Sequence, residues 1–105
     1  MYIEHNIHLQ DGFKKDTVIL EVNDKEVFND EHISIDLRIA LAKQFKTNVN
    51  TGEIEVKENN TTKDLVDNYI FIINSETYLG ISIMEPASPN RKIRFVLSTK
   101  PFAYI

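Results

Sequence analysis

Hydrophobic and polar residues alternate along most of this chain. Successive side chains of an extended strand point to opposite faces, so alternation with a period of two predicts strands that bury one face and leave the other in water. Several short segments with this pattern follow one another without a long helical segment between them, which is typical of an all-β fold. We therefore expect an antiparallel β-sandwich of about eight short strands, forming a single domain over residues 1–105. The alternating segments lie at residues 2–10, 17–23, 33–41, 77–84 and 93–98.

Residues 36–46 fit two different periods. They continue the alternation of a strand, but Leu37, Leu41 and Phe45 also recur at the four-residue spacing of one helix face. We expect a strand in the first part of this stretch. A short helix near residues 40–44 stays open as the alternative.

Local signals indicate how the strands are connected. Asn23-Asp24 predicts a tight hairpin, because both residue types tolerate the left-handed backbone of a primed turn. Residues 50–52 end in a glycine where a bulged hairpin needs one, and the polar residues 29–32 predict a connection between strands. The five consecutive apolar residues at 69–73 predict a central strand, either buried on both faces or at a sheet junction.

Composition excludes several classes of chemistry. The chain has no cysteine, which removes disulfide frameworks, thiolate zinc sites and cysteine nucleophiles. Its three glycines lie far apart, and the sequence contains none of the short motifs of hydrolases, zinc peptidases or dinucleotide-binding enzymes. We therefore expect a protein that is not an enzyme and that uses no cofactor.

The three histidines are the candidate metal ligands. A metal site needs several ligands that converge on one point. His5 and His8 are three residues apart, and that spacing places them on opposite faces of a strand. We expect His5 to lie in the core with one ring nitrogen hydrogen-bonded, and His8 to be solvated. The alternative function is that of a β domain that binds a metal or a small ligand through His5, His8 and His32. Because of the strand geometry, we expect no metal site.

A non-catalytic binding or protein-interaction module is the function that we expect. Tyrosine is enriched at protein interfaces, and an apolar chain end frays unless it docks against something. The same features favour self-association, either through an edge strand or through the C-terminal tail, and leave an unidentified protein partner as the other expectation. The candidate interaction surface consists of Tyr78, Pro101, Phe102, Tyr104 and Ile105.

A cluster of basic residues near the last strand supports a further alternative, weak binding of single-stranded nucleic acid. The net charge of −4 argues against it, because nucleic-acid binders usually carry a basic excess. Phe95 shares a face with apolar residues, so we expect it in the core and not as a platform for bases. The cluster consists of Arg91, Lys92, Arg94 and Lys100.

The expected location is the cytoplasm, away from membranes. No segment reaches the roughly 20 apolar residues that cross a bilayer. The first residues, beginning Met1-Tyr2-Ile3-Glu4, show neither the basic region nor the apolar stretch of a signal peptide.

Overall fold

The computed structural model describes residues 2–34 and 41–102, and all regular structure within them is β-strand. The eight strands belong to two sheets of four. Sheet I has the order β4-β1-β7-β8 and sheet II the order β3-β2-β5-β6. The strands are β1 (Tyr2–Leu9), β2 (Asp16–Val22), β3 (Lys25–Ile33), β4 (Lys43–Asn50), β5 (Gly52–Asn60), β6 (Leu65–Ile73), β7 (Thr77–Met84) and β8 (Lys92–Ser98).

The two sheets pack face to face, which confirms the predicted β-sandwich. All neighbouring strands are antiparallel except β1 and β7, which run parallel in the middle of sheet I. The parallel pair is a departure from a purely antiparallel fold. No hairpin joins β1 to β7, so their connection does not require them to be antiparallel.

Period-two alternation sets which side chains enter the core. In β2, Asp16, Val18, Leu20 and Val22 are buried and the residues between them are half-buried, as the sequence pattern predicts. The chain then turns at Asn23 and Asp24 with φ of 51° and 66°, the left-handed backbone of the predicted tight hairpin to β3.

Aromatic stacks join the sheets along both sides of the sandwich. Phe28 on β3 stacks on Phe45 on β4, with ring centroids 4.7 Å apart. On the other side, Tyr69 on β6 stacks on Phe95 on β8 at 5.4 Å. The core lies between these stacks and is fully buried at Ile7, Leu9, Val18, Leu20, Val56, Ile73, Leu79 and Ile81.

Two sequence-based predictions about connections are wrong. Residues 50–52 do not form a hairpin, because β4 belongs to sheet I and β5 to sheet II. A glycine marks a turn but does not decide whether the chain returns to the same sheet. The polar residues 29–32 are not a connection either, since they continue edge strand β3.

The prediction that residues 69–73 form a central strand buried on both faces is also wrong. They belong to β6, which is an edge strand of sheet II, and Ile72 on its outer face is 74% exposed. An unbroken apolar run indicates apolar residues on both faces but does not show that both faces are covered.

Part of the open strand-or-helix question is settled. Residues 41–44 are not helical, and β4 begins at Lys43. Residues 35–40 lie outside the described residues, as do Tyr104 and Ile105 of the predicted interaction surface. In the part of the chain that the structure describes, no helix is long and apolar enough to cross a membrane.

Candidate functional site

An open groove of about 420 Å³ lies on the outer face of sheet I. This volume falls within the range of about 300–1,000 Å³ that is typical of ligand sites. The groove brings together three residues of the predicted interaction surface and one of the predicted histidines. Its lining consists of Asn6, His8, Gln44, Phe45, Lys46, Tyr78, Pro101 and Phe102.

Strand register places these side chains side by side. β1 lies between β4 and β7, so His8 has Gln44 as its neighbour on one side and Gly80 on the other. A side chain at Gly80 would collide with Gln10, whose amide atoms lie 2.5–3.0 Å from the position that a Cβ would take. The glycine therefore leaves room for the Gln10 side chain beside His8.

Two aromatic rings cover His8, so the prediction of a solvated His8 is wrong. The imidazole meets Phe102 edge to face with centroids 5.4 Å apart, and it meets Tyr78 in the same manner at 6.3 Å. His8 is only 7% exposed, and this burial lowers its pKa below the ordinary value of 6.5. The imidazole at the floor of the groove is therefore neutral at pH 7.

Polar groups and paired charges surround the groove. The Tyr78 hydroxyl donates to Glu76 at 3.4 Å, and partial burial and the Glu76 carboxylate raise the pKa of that hydroxyl. The Asn6 amide donates to the Thr77 carbonyl at 3.1 Å. Lys46 lies 3.7 Å from the Glu4 carboxylate. Lys46, the cation in the lining, is thus paired with the Glu4 carboxylate. Its charge is not left free to attract an anionic ligand.

The structure does not bring the three histidines together. His5 and His8 point to opposite faces of β1, and His32 lies exposed on β3 of the other sheet. Within residues 2–34 and 41–102 there is no group of three or more His, Asp or Glu side chains placed to hold a metal ion. The histidine arrangement therefore gives the metal hypothesis no geometric support.

His5 lies in the core, as predicted. Its Nδ1 lies 2.8 Å from the Thr77 hydroxyl, and its ring packs on Phe71 at 5.4 Å. Its Nε2 has no hydrogen-bond partner in the described structure. Burial lowers the pKa of His5 to about 4, so the ring is neutral over most of the pH range in which the protein would work.

Phe95 lies on the opposite face of β8 from the basic side chains Lys92 and Arg94. Arg91 donates from Nε and Nη2 to the Lys63 carbonyl, at 3.1 and 2.8 Å. Lys92 and Arg94 are exposed on edge strand β8. Phe95 stacks on Tyr69 against the core, which confirms its predicted packing role.

Sequence reasoning missed a second exposed surface, the outer face of β6. Val66, Ile70 and Ile72 are 58%, 55% and 74% exposed, and all three point to the same side of sheet II. Their two- and four-residue spacing in the sequence was a usable signal. The signal is obscured because the alternate positions are also apolar. These positions are Tyr69, Phe71 and Ile73, which pack toward the core.

No family model matches the sequence, and no match was found among curated proteins. The geometry of the two surfaces is therefore the basis for a functional proposal.

Proposed function

We propose that this protein is a non-catalytic binding module, and that the groove on sheet I binds a short segment of a partner protein. The observation that carries the proposal is the placement of Tyr78, Pro101 and Phe102 around the buried ring of His8. These residues are far apart in sequence and belong to β1, β7 and the segment after β8.

The lining favours an uncharged apolar or aromatic side chain from the partner. Aromatic rings prefer edge-to-face and offset contacts, and the rings of Tyr78 and Phe102 already contact His8 edge to face. Tyrosine packs through its ring while its hydroxyl stays hydrogen-bonded, which suits an interface that is wet at its rim. A charged side chain would lose its hydration in the groove without gaining a free counter-charge from Lys46.

Selection from a library of random displayed peptides tests this proposal. We expect enriched peptides to share an apolar or aromatic residue, and the best of them, made synthetically, to bind with a dissociation constant below about 1 mM. Tyr78→Ala and Phe102→Ala should each weaken that binding by at least about tenfold, the loss that truncating a central interface residue produces.

Met84→Ala is the matched control. Met84 lies on the same strand and the same face as Tyr78, six residues away and hence at about 20 Å. It should leave the affinity unchanged. Failure to enrich any peptide, or equal losses from Met84→Ala and Tyr78→Ala, would refute the proposed site.

The proposal retains the cytoplasmic location expected from the sequence, which fractionation of cells that express the full chain would check. An unidentified protein remains the expected partner of the groove. Self-association through an edge strand would involve sheet II, and different observations support it.

A further inference from the structure

We propose that β6 pairs with β6 of a second copy of this chain, antiparallel and around a two-fold axis. The proposal concerns a different sheet from the groove and does not depend on it. Its basis is the apolar outer face of β6, formed by Val66, Ile70 and Ile72, on a strand with no neighbour beyond it among the described residues.

The composition of β6 is that of a strand with a neighbour on each side. An edge strand leaves a row of backbone N–H and C=O groups unpaired, and proteins usually protect such edges with charged side chains. β6 carries one charged residue, Asp67, in its nine positions. The other edge strands carry two or three exposed charges each: Lys25, Glu26 and Glu31 on β3, Lys43 and Lys46 on β4, and Lys92 and Arg94 on β8.

This difference between the edges identifies the occupant. Pairing of β6 with a charged edge of another molecule would bring apolar side chains against charges and would leave further edges open, so chains could grow into fibres. Pairing of β6 with itself is self-complementary and uses up both apolar edges at once. The assembly then ends at two copies, with the charged edges exposed.

One register of this pairing gives all nine residues of β6 a partner on the second copy. With Tyr69 on the two-fold axis, Val66 lies opposite Ile72 of the second copy, and Asn68 lies opposite Ile70 of the second copy. On β5, Glu55 is the neighbour of Ile70 and Lys57 is the neighbour of Asn68. The row of Asn68 and Ile70 therefore has a glutamate on one flank and a lysine on the other.

The two nearest alternative registers pair fewer residues. Tyr69 is the middle of the nine residues of β6, so an axis at Asn68 or at Ile70 leaves two residues of each β6 without a partner on the other β6. The flanking charges do not decide between the registers, because they lie three strand spacings, roughly 14 Å, apart, where salt screens them. The number of paired residues thus selects the register with Tyr69 on the axis.

Sedimentation of the full chain at increasing concentration is the first test. We expect a concentration-dependent species of twice 12.2 kDa. Ile70→Lys should raise the dimer dissociation constant by at least about tenfold, because it replaces an apolar side chain of the edge strand with a charged one, the kind of residue that protects edges against pairing. Asn29→Lys adds the same charge to the exposed side of the other edge strand of sheet II, and it should leave the dissociation constant unchanged. Thermal melts should show both variants folded.

Cysteine cross-linking tests the register, since the chain has no cysteine of its own. Directly opposed residues of an antiparallel pair have Cα atoms close enough for a disulfide. A mixture of chains carrying Asn68→Cys with chains carrying Ile70→Cys should form the mixed disulfide. A mixture of Asn68→Cys with Asn29→Cys should not. A protein that stays monomeric, equal effects of Ile70→Lys and Asn29→Lys, or equal cross-linking in the two mixtures would each overturn the proposal.

Discussion

Glu58 on β5 lies fully buried beside Asp16 on β2, and the two carboxylates have different environments. Asp16 Oδ2 accepts hydrogen bonds from Asn60 at 2.9 Å and from Lys63 at 2.5 Å. Neither carboxylate oxygen of Glu58 has a hydrogen-bond partner in the described structure. Burial, together with the charges of Asp16 and Asp67, raises the pKa of Glu58 to about 8. The side chain is therefore mainly protonated at neutral pH.

Glu58 should make the protein less stable as the pH rises. Its pKa is higher in the folded chain than the ordinary value of 4.5, so the folded state holds a proton that the unfolded state releases between pH 4.5 and about 8. In that window the free energy of unfolding should fall by up to about 1.4 kcal/mol per pH unit. Urea unfolding at several pH values measures this slope.

Glu58→Gln should flatten the slope, because glutamine does not titrate. Glu53→Gln, an exposed position on the same strand, is the control and should leave the slope as it is. An unchanged slope in Glu58→Gln would show that Glu58 is ionised in the folded protein at neutral pH.

His5 should have the opposite effect on the acid side. Burial holds its pKa at about 4, below the ordinary 6.5, so protons bind the unfolded chain first as the pH falls from 6.5 to 4. The stability that the neutral His5 ring contributes is present above pH 6.5 and is lost as the pH falls from 6.5 to about 4. The ring C–H resonances of His5 should titrate with a midpoint near pH 4, which NMR measures directly.

His5→Phe should remove this acid-side loss while costing about 1 kcal/mol at pH 7, because the bond to Thr77 is lost. His32→Gln changes an exposed histidine and is the control. A His5 midpoint near 6.5 would mean that the ring is accessible to solvent.

Two glycines provide a matched test of the turns. Both Gly12 and Gly52 have positive φ, at 93° and 126°. A Cβ at Gly12 would collide with the carbonyl oxygen of Ile83 and lie 2.7 Å from its Cβ, whereas one at Gly52 would meet no atom within 4 Å. Gly52→Ala should therefore cost about 1 kcal/mol from backbone strain alone, and Gly12→Ala should cost at least about 2 kcal/mol.

Both glycine variants carry backbone strain, and only Gly12→Ala adds a collision, so the difference between their free energies of unfolding in urea reports mainly the cost of that collision. Equal losses of stability would indicate that the segment containing Gly12 moves away from Ile83 without penalty.

The stack between Tyr69 and Phe95 should couple the two edge strands on its side of the sandwich. The ring planes lie 9° apart and the centroids 5.4 Å apart. A double-mutant cycle with Tyr69→Leu and Phe95→Leu should give a coupling energy of about 1 kcal/mol, the value typical of aromatic pairs. Additive losses in urea unfolding would mean that the rings contribute only through their separate burial.

Alternation predicted the strands well where one face meets the core and the other meets water. The buried faces of β2 and the packing of His5 and Phe95 follow from this local pattern. The hairpin at Asn23 followed in the same way, because a primed turn depends on the backbone preferences of two adjacent residues.

The errors about His8 and about residues 69–73 share one cause, which is that contacts between distant segments leave no local signal. Nothing near His8 in sequence shows that Phe102 covers it. The apolar run at residues 69–73 has the composition of a central strand, yet sheet order places it at an edge. The sequence therefore predicted three lining residues of the groove, Tyr78, Pro101 and Phe102. It predicted neither the place of His8 at the floor of the groove nor the shape of the groove.

Amide shift mapping of the labelled full chain with the synthetic peptide selected by display tests the proposed function most directly. We expect the largest shifts at Asn6, His8, Lys46 and Tyr78, with little change at Met84 at the far end of β7. Shifts centred on sheet II, or spread evenly over both sheets, would contradict the assignment of the groove as the binding site.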